Sequence, residues 1–157
     1  MQGGPAAAHR NQTPRGPNEL NNFQDESEGA LPLPATRDGH MIPKLPLSAF
    51  IICLNEEAYL GKCIESLERC AEIVIVDSGS TDGTTALVQS YIDAGWPIRF
   101  MYEPWRGYAG QKQFALEQCS QPWCFNIDAD ERLDKALREL LPELLAASDE
   151  IVGWRVA

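Results

Sequence analysis

Three clusters of polar and acidic side chains each stand directly behind a short apolar run. Asn55-Glu56-Glu57 follows the run ending at Leu54, Asp77-Ser-Gly-Ser-Thr-Asp82 follows Ile73-Val-Ile-Val76, and Asp128-Ala-Asp-Glu131 follows Trp123-Cys-Phe-Asn-Ile127. In an extended chain, residues i and i+2 share a face about 6.6 Å apart. Asp128 and Asp130 so placed repel each other unless a proton or a cation lies between them. A hard divalent ion with oxygen ligands, Mg²⁺ or Mn²⁺, answers that need, keeps several waters and accepts phosphate oxygens. The plain alternative is a solvated acidic turn ahead of a helix, and D-x-D alone is a weak signal. Asp77 at a strand tip offers an acceptor for the ring N–H of a base, although an ordinary strand-to-helix loop also explains its neighbours. Asn55 reads as a helix N-cap, with Glu56 and Glu57 favoured by the helix dipole. The same two residues, Asn55 and Glu56, are placed to line a pocket.

A fourth segment, Trp105-Arg-Gly-Tyr-Ala-Gly-Gln-Lys-Gln-Phe114, brings Arg106 and Lys112 where an anionic group would need support. Gly107 and Gly110 allow close backbone approach. Trp105 and Tyr108 either pack or flank a ring-shaped ligand.

The elements that must hold these groups alternate in kind. Leu47–Leu54, Ile73–Asp77, Ile98–Tyr102 and Trp123–Ile127 read as strands, the second β-branched throughout and suited to burial on both faces. Between them, residues 56–71, a segment from Thr84 that ends before Gly95 and Pro97, and residues 109–119 read as helices. Leu133, Leu137, Leu140, Leu141 and Leu144 trace a fourth helix, which Pro142 is expected to kink or divide. Strands alternating with helices imply right-handed β-α-β units and a layered α/β fold, whose ligands sit at the carboxyl ends of the strands. Function is therefore expected just after residues 54, 76, 103 and 127.

Composition narrows the partners. The 157 residues carry 13 Lys plus Arg against 23 Asp plus Glu, a net charge of −10. A broad basic face for nucleic acid cannot be built from so few cations. No apolar stretch approaches the roughly 18–20 residues of a membrane span. The five cysteines lack any C-x-x-C pair and read as reduced thiols of a cytoplasmic protein. Seven of the 11 prolines fall before residue 48, in a segment without apolar periodicity. Residues 1–46 are therefore expected to be a disordered extension, with Met41 a candidate translation start, and 47–157 the folded domain. Glu150-Ile-Val-Gly-Trp-Arg-Val-Ala157 looks like the opening of a further strand, which suggests a fragment of a longer chain.

Taken in order, Cys53-Leu-Asn-Glu-Glu57, Val76-Asp-Ser-Gly-Ser-Thr-Asp-Gly83, Gly107–Ala115 and Asn126-Ile-Asp-Ala-Asp-Glu-Arg132 resemble the family 2 glycosyltransferases, inverting enzymes with the GT-A nucleotide-sugar fold. The wording V-D-S-G-S-T-D, W-R-G-Y-A-G-Q-K-x-F-A-L and D-A-D-E-R is most similar to the bacterial lipopolysaccharide-core glucosyltransferase branch. The resemblance implies a layered α/β sheet representing the donor-binding half. It implies that Asn55 and Glu56 help hold the nucleotide and Asp77 meets a uracil-type base. By the same resemblance Asp128 and Asp130 form the D-x-D pair, touching ribose and a divalent metal (Mg²⁺ or Mn²⁺), and Lys112 is the basic residue near the nucleotide. Gln113 departs from the family, which usually has Asn there. The implied partners are a nucleotide-sugar donor and a saccharide or lipopolysaccharide-core acceptor, met at the cytoplasmic face of the inner membrane.

The resemblance places the general base beyond D-x-D, where Asp149 and Glu150 have no motif support. Two classes of function follow: sugar transfer, and a binding module that holds the donor without transferring it. A phospho-receiver is disfavoured because the third strand ends in Glu103-Pro104, without the Asp such a domain needs. A dinucleotide-binding oxidoreductase is disfavoured because Asn55-Glu56-Glu57 stands where G-x-G-x-x-G belongs.

Overall fold

The structure, a computed structural model, describes residues 36–37 and 40–146. A short antiparallel pair, β1 (Thr36–Arg37) and β2 (His40–Met41), precedes the main sheet. The expectation of a structureless segment up to residue 46 therefore fails over its last part. Residues 1–35, like 147–157 with Asp149 and Glu150, lie outside the described residues.

Four parallel strands form the sheet: β3 (Leu45–Cys53), β4 (Cys70–Asp77), β5 (Ile98–Tyr102) and β6 (Trp123–Asn126), in the order β5-β4-β3-β6. β3 starts two residues before the sequence pattern suggests, because the Leu45 N–H donates to the Arg69 carbonyl at 2.8 Å. Pro46, which has no N–H to give, falls where the register with β4 shifts between Leu45 and Ser48. β4 is buried on both faces apart from half-buried Ala71, as its unbroken β-branched run requires.

The helices divide between the two faces. Helices α1 (Leu60–Ser66), α2 (Thr84–Asp93) and α4 (Lys135–Leu145) pack on the side carrying Ala49, Ile51, Cys53, Ile73 and Ile75. Helix α3 (Gly107–Glu117) covers the opposite side, where Phe50, Val74 and Val76 meet Ala115 and Phe114. This alternation is the period-two signature of strands buried on both faces.

Two local expectations are corrected. The first helix is shorter than residues 56–71: it begins at Leu60, has no side-chain cap, and gives way to β4 at Cys70. Pro142 does not divide α4. Lacking an N–H, it leaves the Arg138 carbonyl without its helical donor, and Arg69 Nη1 supplies one at 3.0 Å. Asp134 caps this helix, accepting from the Leu137 N–H at 2.7 Å.

Candidate donor-binding site

The chain runs outward from β3 to β4 to β5, then crosses to place β6 on the other flank of β3. That reversal is a topological switch point, and it opens a crevice at the carboxyl ends of β3 and β6. Leu54–Glu57 and Ile127–Glu131 are the segments that leave those two ends, and Asp77 ends β4 at the same edge.

The D-x-D turn is pinned from below and free above. Ala129 is buried, so the flanking carboxylates are carried outward, Asp128 half-exposed and Asp130 exposed. The Asp128 N–H donates to Glu131 Oε2 at 2.9 Å and the Glu131 N–H to the Asp128 carbonyl at 3.0 Å. The Cys63 thiol adds a weak bond to the same carbonyl at 3.6 Å, and burial followed by the charges of Glu131 and Asp130 pushes that thiol up to about 12. Lys112, projecting from α3, places Nζ 2.7 Å from Asp128 Oδ1. Glu56 completes the group: burial first, then the nearby Asp130 and Asp82 charges, raise its carboxyl above the ordinary range. Lys112, Asp128, Asp130 and Glu56, separated by up to 74 residues in sequence, thus share one electrostatic site.

Among the described residues no three His, Cys, Asp or Glu side chains gather closely enough to hold a metal by themselves. Two hard carboxylates fill only part of a six-ligand coordination sphere. They suit Mg²⁺ or Mn²⁺ completed by water and phosphate oxygens, and do not suit a structural zinc.

Asn55 does not cap a helix, and both Asn55 and Asp77 shape the loops at this edge. Asn55 sits at φ 59°, in the left-handed region, and is no helix cap. Its Oδ1 accepts from the Thr81 N–H at 2.8 Å, while its own N–H donates to Ser80 Oγ at 2.8 Å. Further along, the Glu56 N–H donates to Thr84 Oγ1 and the Gly83 N–H to Glu57 Oε2, both at 2.9 Å. A Cβ at Gly83 would overlap the Glu57 carboxylate, which would have to turn away and give up its bond to the Gly83 N–H. Asp82 precedes α2 and accepts from the Thr84 N–H at 3.0 Å.

Asp77 is 5% exposed and fully engaged. Its Oδ2 accepts from the N–H groups of Gly79 and Ser80, each at 2.9 Å, and its Oδ1 from the Ser80 hydroxyl and, weakly, the Cys53 thiol. The carboxylate shapes its own loop, with Gly79 at φ 107° completing the turn.

Beside the carboxylates lies a cleft of about 600 Å³ lined by Ile52, Cys53, Leu54, Glu56, Trp105 and Tyr108. Trp105 and Tyr108 meet edge-to-face, centroids 4.9 Å apart, yet remain 51% and 75% exposed. Their loop is held by Gln111, which the sequence pattern did not single out. Fully buried, Gln111 donates to Ser78 Oγ (3.1 Å) and the Glu103 carbonyl (3.0 Å) and accepts from the Arg106 N–H (3.2 Å). A polar residue next to Lys112 on a helix with few apolar positions gave no periodic signal to find it by. Arg106 is committed elsewhere, paired with Glu103 at 2.5 Å and lying over the Phe114 ring. Gln113 is exposed and donates to Glu117 at 2.9 Å, making no contact with the crevice residues.

The model of glycosyl transferase family 2 matches residues 48–157. The chain is 99% identical over 117 residues to the lipopolysaccharide core biosynthesis glycosyltransferase LpsC of Rhizobium meliloti (strain 1021), covering 74% of this chain and 43% of that protein. It is 39% identical over 105 residues to an uncharacterized glycosyltransferase of Rickettsia bellii, covering 66% and 34%. The chain thus spans less than half the length of these curated relatives. Among solved structures, the mannosyltransferase PcManGT from Pyrobaculum calidifontis, in complex with GDP-Man and Mn²⁺, superposes with a TM-score of 0.58 at 22% identity, over 78% of this chain and 37% of that one. S. aureus TarS 1-349 gives 0.53 at 22% identity, over 62% and 31%. Those two likenesses establish the GT-A type of fold, and the family match takes in β4, β5, β6 and all but the start of β3, with the acidic groups behind β3, β4 and β6. The chain belongs to glycosyltransferase family 2.

Proposed function

We propose that this chain is the donor-binding half of an inverting glycosyltransferase that moves a sugar from a nucleoside diphosphate carrier, of the UDP-glucose type, to a saccharide acceptor of the lipopolysaccharide core. The observation that carries this reading is the junction at the β3–β6 switch point. There a cation-and-carboxylate cluster adjoins an aromatic cleft, and Glu56 belongs to both. The cluster suits a diphosphate and the cleft suits a ring, which are the two halves of a nucleotide.

In this reading Trp105 and Tyr108 stack on the base, a contact worth about 1–3 kcal/mol per base in nucleic-acid sites. Asp77 and Asn55 are positioning residues that fix the loops forming the rim. Asp128 and Asp130 would hold Mg²⁺ or Mn²⁺, and Lys112 faces the diphosphate. A divalent ion there supplies Lewis acidity toward the charge that develops on the leaving diphosphate. The carboxylates thereby let a chain of net charge −10 accept an anionic donor. An acceptor hydroxyl attacking from the opposite face needs a carboxylate base. The names carried by LpsC, and by PcManGT with its GDP-Man and Mn²⁺, support the donor and acceptor classes. A cytoplasmic location beside the inner membrane follows from that acceptor; no helix among the described residues is long and apolar enough to cross a membrane.

A second reading is donor binding without transfer, which the cation-and-carboxylate cluster and the aromatic cleft would equally serve. Calorimetric titration of UDP-glucose with Mn²⁺, followed by an assay of UDP release with a saccharide acceptor, separates the two. Binding with release supports transfer, binding alone supports the second reading, and absence of binding defeats both.

A further inference from the structure

We infer that Lys112 and the divalent cation are alternative partners of Asp128, exchanged when the phosphates of the donor arrive. The inference deepens the donor-site reading and rests on it. Lys112 Nζ lies 2.7 Å from Asp128 Oδ1, on a carboxylate that a metal would have to share. Metal–oxygen bonds of Mg²⁺ are about 2.0–2.1 Å. An ion bound to the same carboxylate would therefore stand within a few ångströms of an ammonium of like charge.

The surroundings allow the exchange and give it a direction. Both backbone groups of Asp128 are held, the N–H by Glu131 Oε2 and the carbonyl by the Glu131 N–H, so only its side chain is free to turn. The helix carrying Lys112 is fixed by buried Gln111, whereas the lysine stem is long, flexible and one-third exposed. Asp130, the other carboxylate, has no ion pair among the described residues. Without a ligand, Lys112 is the cation that offsets Asp128. When a nucleotide brings metal and phosphate together, the metal takes the carboxylate and Lys112 swings to a phosphate oxygen. The metal alone must evict Lys112 with nothing to receive it. Metal and nucleotide consequently bind with positive coupling, and Lys112 is its physical carrier.

The experiment measures Mn²⁺ binding by the electron paramagnetic resonance of free Mn²⁺, with and without UDP, on the whole chain and on Lys112→Met and Lys112→Arg. Thermal melts accompany each variant, and Asp128→Asn/Asp130→Asn serves as the metal-site control. Lys112→Met is expected to bind Mn²⁺ without nucleotide about tenfold more tightly than the parent chain. It should also bind UDP more weakly and lose most of the mutual enhancement between UDP and Mn²⁺, while Lys112→Arg retains that enhancement. Unchanged or weaker Mn²⁺ binding by Lys112→Met, with the parent chain still binding UDP and Mn²⁺ together, overturns the exchange and leaves the donor site standing. No Mn²⁺ binding by the parent chain, even with UDP, overturns the donor-site reading and the exchange with it.

Discussion

The two ends of the sheet use carboxylates in opposite ways. At the amino end, Glu72 of β4 is 7% exposed and saturated. It accepts from Ser48 Oγ at 2.5 Å, the Ser120 N–H at 2.8 Å and Arg99 Nη1 at 3.0 Å, while Ser48 Oγ accepts in turn from the Gln121 N–H. Burial acts to raise the Glu72 carboxyl, but these donors outweigh it and hold the group below its ordinary value. At the carboxyl end, Glu56 and Asp130 have too few donors and lie close enough to repel, and Asp128 has one lysine. A saturated buried carboxylate ties three strands and a loop together; an under-supplied cluster at a switch point is prepared for something that the fold does not provide. Asp77 teaches the same lesson from the middle ground. It stands at the functional edge, yet its carboxylate holds its own loop through several donors, as Glu72 holds its neighbours.

Breaking the saturated end should cost the most stability. Glu72→Ala leaves Ser48, the Ser120 N–H and Arg99 without their shared acceptor and is expected to lower stability by about 3 kcal/mol in urea denaturation. Nucleotide affinity of the folded fraction should hold. Asp128→Asn with Asp130→Asn should do the reverse. Mn²⁺ affinity falls by about a hundredfold, read by calorimetry, while stability moves by no more than about 0.5 kcal/mol. If that pair unfolded the protein, the division between the two ends would collapse. Asp77→Ala, placed with the structural group, should cost about 2 kcal/mol through its lost loop hydrogen bonds, measured by thermal melting. Trp105→Ala sharpens the functional side: UDP affinity should drop about tenfold with little change in melting temperature.

The smallest effect is one of pH. The folded value of Glu72 is depressed, so its stabilisation is complete above the ordinary 4.5 and drains away as pH falls through the folded value. Wild type should therefore lose stability more steeply than Glu72→Gln below pH 4.5 in an acid titration followed by circular dichroism.

Much of this was legible in the residues. Apolar content located all four main strands: β3 and β4 because strands buried on both faces must be apolar almost throughout, β5 and β6 because half-buried edge strands still carry large apolar side chains. Ile98–Tyr102 and the start of β6 at Trp123 coincide with the pattern. Asp128 and Asp130 were visible because spacing along one extended segment is a local property. The errors lie where distant segments meet. Asn55 next to two glutamates reads as a helix cap until the β4–α2 loop is present to draw its side chain away. Pro142 reads as a helix breaker until Arg69 arrives to serve the orphaned carbonyl.

By itself, then, the sequence determined the alternation of strands and helices, the family, and which residue types stand at the carboxyl edge, since all of these follow from periodicity and order along the chain. Tertiary structure alone decided which acidic groups are spent and which remain available. Availability depends on how many donors reach each oxygen, and for Glu72, Asn55 and Asp128 some or all of those donors come from segments at least 16 residues away.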